Sequence, residues 1–222
     1  MGSAGGGTPV LEVVSQFSFA PDLPSDLTVP GRLYDALKGD LPEKRTVADS
    51  VQLLTADRRV AVQVDSHTLT VRHLRPYPGW DTFLALTGRV LEAYLGIAEP
   101  ESLADLSLRV LNLIEFPGRD HVEFGEYFTF YPRVGPALPQ ELSHFVSAIE
   151  VWASEGRDLL RLQMSRGQTP HASVLLEIAC QPALACSVLL ADWKAYMVRA
   201  HAAAGSAFDG CITDALRARF GR

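Results

Sequence analysis

His121 and Glu123 stand two residues apart. In a strand that spacing projects an imidazole and a carboxylate from one side, part of the ligand set of a two-histidine, one-carboxylate iron site. His144, His171 or His201 would supply a third ligand. The competing reading is a solvated turn, because Pro117-Gly118 runs just ahead of the pair. His67 and His73 are a weaker couple: six residues of strand at roughly 3.3 Å each hold them about 20 Å apart.

The same stretch offers acid–base chemistry without a metal. Glu115, His121, Glu123 and Tyr127 are the candidate catalytic groups, with Glu126 beside them, since carboxylates among aromatics are where perturbed acids and bases arise. The structural alternative for Asp120–Arg133 is a hairpin with aromatics on its core face and acids in water. No G-x-S-x-G, S-x-x-K, phosphate loop or cysteine with a neighbouring histidine is present.

The element that must position these groups is Leu103–Phe116. It reads as the most buried strand, yet it carries Arg109, Asn112 and Glu115. Alternation puts Arg109 and Glu115 on one face and Asn112 on the other. Arg109 has two readings. It either pairs with a core carboxylate, Glu12 or Glu177, to fix strand order, or it grips an anionic ligand bidentately.

Around that strand the pattern is α+β with mainly antiparallel pairing. Val10–Ala20 alternates as a strand. A helix is expected over Gly31–Gly39, then strands Ser50–Thr55, Arg59–Val64 and Thr68–Leu74. After the Pro76–Trp80 corner, a helix starting at Asp81 or Thr82 should run to a stop at Gly96. Strands Ser143–Ala153, Asp158–Ser165 and Ser173–Cys180 follow, then a long helix over Val188–Gly205 with Leu189, Trp193, Tyr196 and Met197 inward. Phe208–Arg219 continues or restarts it.

Residues 9–222 are expected to form one domain, with similar halves at about 9–100 and 101–222, after a flexible leader over 1–8. If the C-terminal helix lies across a curved sheet, an apolar cavity can form near Trp80, Trp193 and Tyr196, the default ligand site, with Arg109 and Asn112 as polar contacts.

The chain resembles a sporadically distributed prokaryotic family with no established reaction. The shared features are a P-x-x-E opening strand (Pro9 to Glu12), a Pro30-Gly31-Arg32-Leu33-Tyr34 helix start and the Pro76-Tyr77-Pro78-Gly79-Trp80 corner. To these are added Arg109 and Asn112 on the central strand, and Phe208, Ile212, Thr213, Leu216 and Arg217 at the end. The resemblance runs through nearly the whole chain and implies little about activity. The first arginine of the family's central-strand pattern has no counterpart here.

Bulk composition narrows the field. A formal charge of −6 over 222 residues argues against a non-specific binder of nucleic acid. Ile178–Ala191, the longest uncharged run, is 14 residues and contains Gln181 and Pro182, too short for a membrane span. Cys180, Cys186 and Cys211 show no C-x-x-C spacing and sit among apolar residues, as free thiols in a reducing compartment do.

The expectation is a cytoplasmic binding protein without a cofactor. It would hold a protein partner or a small apolar or anionic ligand between sheet and helix, with neither nucleic acid nor membrane as partner, and a homodimer is compatible with it. The alternative is a metal-independent acid–base enzyme, a cyclase, isomerase or lyase, using the same cavity.

Overall fold

The computed structural model describes residues 8–20, 28–65, 67–140, 142–183 and 188–221. The first half contains β1 (Val10–Phe19), α1 (Val29–Leu37), β2 (Glu43–Val47), β3 (Ser50–Leu54), β4 (Val60–Val64), β5 (Thr68–Leu74) and α2 (Trp80–Ala98). The second contains β6 (Leu103–Phe116), α3 (Phe124–Tyr127), β7 (Val146–Ala153), β8 (Asp158–Arg166), β9 (Ala172–Pro182), α4 (Trp193–Cys211) and α5 (Asp214–Arg219).

The fold is α+β, built on one nine-stranded antiparallel sheet in the order β2-β3-β4-β5-β1-β6-β9-β8-β7. Reading outward from the middle, β1 is followed by β5, β4 and β3, and β6 by β9, β8 and β7. The two halves thus repeat one topology, joined where β1 runs antiparallel to β6.

Alternation along the central strands decides which face the long helices cover. Ser15, Phe17 and Phe19 point one way from β1 and are buried. Ser15 Oγ lies 3.3 Å from Thr87 Oγ1 of α2, Phe17 meets Trp193 of α4 edge-on, and Phe19 stacks on Tyr94 of α2. Both long helices therefore pack on the same face. Leu106, Leu108, Ile114 and Phe116 of β6 and Leu176, Ile178 and Cys180 of β9 complete the core beneath them.

Several boundaries differ from the sequence expectation for identifiable reasons. β2 escapes the pattern because EKRTV at a sheet edge has no apolar alternation to read. α2 does not stop at Gly96 but runs to Ala98, where Glu99 takes the left-handed conformation at φ 45°. The Asp120–Arg133 stretch forms a four-residue helix, α3, rather than a hairpin, and its aromatics Tyr127 and Phe128 are buried. α4 begins at Trp193, leaving Leu189 outside it and exposed. β6 is central but not uniformly buried, because one of its faces meets solvent.

Among the described residues no helix is long and apolar enough to cross a membrane. Cys180 and Cys211 are free and buried, and burial first of all pushes both thiols up to about 11. Cys186 and the 1–7 part of the expected leader lie outside the described residues.

Candidate functional site

The three polar residues of β6 separate as alternation requires. Arg109 lies on the face away from the helices, in a ladder crossing four strands. Arg72 of β5 stands 3.0 Å from Glu12 of β1. Arg109 donates to Glu12 at 3.2 Å through Nη2 and to Glu177 of β9 at 3.0 Å through Nη1. Arg109 is thus spent on two carboxylates, both named by the structural reading of the sequence, and the ladder ties the two halves together at their seam. Glu115, further along the same face, is exposed and 3.5 Å from Arg75.

Asn112 projects to the other face and is 3% exposed. Its Nδ2 donates to the Leu176 carbonyl at 3.2 Å. That is its one side-chain hydrogen bond among the described residues, so Oδ1 is left to accept. Asn112 borders a cavity of about 150 Å³ between the sheet and α4. Val10, Val110 and Ile178 form its apolar floor, and His201, Ala204 and Phe208 of α4 its roof. Tyr77, from the corner before α2, lines one side.

Two titratable groups here are perturbed. Burial lowers the His201 pKa, opposed by the weaker pull of Asp81, so the imidazole is neutral near pH 7. Burial, helped by Asp81, pushes Tyr77 up to about 12, so its phenol keeps its proton. An imidazole, a phenol and a primary amide therefore meet in one small space, with Thr8 and Asp209 also on its lining.

The aromatic residues expected to line this cavity stand around it rather than in it. Trp80 stacks flat on His201 and fixes its ring. Trp193 packs against Phe17 and over Gly88. Tyr196 is buried, with its hydroxyl on Cys180 Sγ at 3.8 Å. Beside it Arg199 grips the fully buried Asp158 bidentately, at 2.8 and 3.0 Å, fastening α4 to the start of β8.

His121 and Glu123 do meet, at 3.1 Å, on the rim of a second, larger cleft of about 990 Å³ lined also by Arg133, Arg166 and Ser173. Both are exposed, in the irregular segment that leads into α3, with Glu123 as its N-cap. Among the described residues no group of three histidine, cysteine, aspartate or glutamate side chains converges, so His144, His171 and His201 do not complete an iron site there. Tyr127 is buried away from this pair, where its hydroxyl accepts from Arg119 Nη1 at 2.9 Å. The four candidate catalytic residues are therefore not one constellation.

Tyr77, His201 and Asp209 are the titratable cavity residues that sequence reading did not assign to it. Tyr77 could have been suspected from the Pro-rich corner. His201 carried one usable signal, a lone imidazole inside the alanine run Ala200 to Ala204 of the long C-terminal helix. No family model matches the chain, and no curated protein matches it.

Proposed function

We propose that the chain is a cytoplasmic small-molecule binding protein whose site is the cavity between β6, β9 and α4. The observation that carries this is Asn112. Asn112 is a primary amide, 3% exposed, that borders the cavity with its Nδ2 held by the Leu176 carbonyl, which leaves Oδ1 able to accept from a ligand. The cavity is about 150 Å³, a size known to accept a single aromatic ring when apolar. Its lining favours a small, flat ligand with a donor for Asn112 Oδ1 and an apolar edge for Val110, Ile178 and Phe208. An anionic ligand fits less well, because the Arg109 that was to grip it faces the other way.

The same cavity supports a second reading as an acid–base enzyme of isomerase or lyase type, favoured by the neutral His201 as proton acceptor. A thermal-shift and calorimetric screen of monocyclic heteroaromatics against wild type, Asn112→Leu and His201→Phe tests the site. Hits bound by wild type should be lost in Asn112→Leu. Loss of binding in neither variant would remove the cavity from consideration. Turnover of a bound hit that disappears in His201→Phe would select the enzyme reading.

A further inference from the structure

The two edges of the sheet are built differently. At one end β2 reads Glu43-Lys44-Arg45-Thr46-Val47, and its charges guard the open side. At the other end β7 reads Val146-Ser147-Ala148-Ile149-Glu150-Val151-Trp152-Ala153, eight residues with one charge, no lysine and no proline. Val146 is 59% exposed, Ile149 44% and Trp152 69%. Among the described residues no strand pairs with the outer side of β7. A long apolar edge left open in this way is a template for another strand.

We propose that β7 pairs antiparallel with β7 of a second copy of this chain, about a two-fold axis at Ile149. The strand is self-complementary in that register. Ile149 meets its mate on the axis, Ser147 meets Val151, Ala148 meets Glu150, and Val146 meets Trp152. Each off-axis pairing occurs twice, as a two-fold requires.

Charge selects this register over its neighbour. Glu150 faces an alanine and keeps Arg161 as its cross-strand neighbour on β8. An axis at Glu150 would set two carboxylates face to face. Val146 and Trp152 form aromatic–aliphatic pairs on the open face of the sheet, the favourable kind of cross-strand contact.

The helix face agrees. There Ile149 and Val151, with Leu160, Leu162, Ala203 and Ala207, line an apolar trough of about 690 Å³ between the sheet edge and α4. The dyad brings the two troughs side by side, so the same contact shelters apolar surface on both faces of the strand. In the first half, the outer side of α2 is covered by contacts from α1 and the turn after it, Arg32 on the Ile97 carbonyl and Asp40 on Arg89. In the second half, the outer side of α4 lines this trough instead.

Sedimentation equilibrium of the full chain over a range up to about 100 μM tests the pairing. A dimer is expected. Ile149→Lys sets two ammonium groups on the axis and should weaken it by roughly 100-fold or more.

A second variant does not depend on disrupting anything. Ile149→Cys, in a Cys186→Ser background, should yield a disulfide-linked dimer on mild oxidation, because directly opposed strand residues lie within disulfide reach. Thr46→Cys on β2 should not. A monomer throughout the range, a dimer unmoved by Ile149→Lys, or cross-linking through β2 as readily as through β7 would each overturn the proposal.

Discussion

The indole of Trp80 lies flat on the imidazole of His201, with ring centroids 3.9 Å apart and planes within 7° of each other. Trp80 opens α2, and His201 sits in mid-α4. Their contact joins the two long helices and sets the orientation of the one imidazole that borders the sheet–helix cavity.

Stability should fall on mild acidification because of that contact. Burial holds the His201 pKa below its ordinary 6.5 in the folded protein. The unfolded chain therefore binds the proton first, and the stabilisation present above pH 6.5 is lost as pH falls below it. The slope from this group cannot exceed about 1.4 kcal/mol per pH unit. Urea midpoints between about pH 5 and 8 should show it, and His201→Phe should flatten that part of the profile. An unchanged profile in the variant would mean the imidazole is free to charge in place.

Arg109→Met should cost stability without touching the ligand site. It leaves Glu177 unpaired and removes one of two partners from Glu12. Arg109 is about a third exposed, so solvent screens part of the interaction, and a loss of about 1–2 kcal/mol is expected. Binding in the Asn112 cavity should be unchanged, because the guanidinium lies across the sheet. A variant that keeps full stability would show that the ladder contributes nothing at the seam.

Much of this was legible beforehand, and the residues show why. The period of two along β6 separates Arg109 and Glu115 from Asn112 whatever the tertiary structure. The carboxylates Glu12 and Glu177 were named from the need to pair a strand guanidinium. What could not be read was distance across the layers: nothing local sets His201 opposite Asn112, or parts Tyr127 from His121.

The halves also share a short residue-level pattern. Trp80-x-x-Phe83-Leu84 and Trp193-x-x-Tyr196-Met197 open α2 and α4 alike, and Phe83, Leu84, Tyr196 and Met197 are all buried.

Arg199→Met should be among the more damaging single changes outside the apolar core. Burial alone would raise the Asp158 pKa, but hydrogen bonds from Arg199 and Ser154 and the Arg199 charge hold it below 3.8. Without Arg199 the buried carboxylate loses its ion pair and keeps only the Ser154 hydrogen bond and the Arg157 charge, and a loss of about 3 kcal/mol at neutral pH is expected. The sign with pH is specific. In wild type the Asp158 contribution is present above 3.8 and lost as pH falls through its lowered pKa. In the variant burial raises that pKa, so protonation relieves the cost earlier. The stability gap between the two proteins should therefore narrow as pH falls from about 6 to 4. A constant gap would mean the carboxylate is hydrated in the variant.

Gly88→Ala tests the pseudo-symmetry directly. Gly88 and His201 each lie eight residues after the tryptophan that opens their helix. Trp80 covers His201, and Trp193 covers Gly88, so the two indoles reach the same position of the opposite helix. A methyl group at Gly88 would sit 3.5 Å from Trp193 Cη2, an ordinary van der Waals distance. Since glycine inside a helix costs close to 1 kcal/mol against alanine, the substitution should stabilise by about 0.5–1 kcal/mol and raise Tm by a few degrees. Gly88→Leu has no such space under the indole, and overpacking should cost about 1–3 kcal/mol. Pairing it with Trp193→Ala should return much of that loss in a double-mutant cycle. If Gly88→Leu were as well tolerated as Gly88→Ala, Trp193 would not be packed on α2, and the reciprocal contact between the helices would be confined to Trp80 and His201.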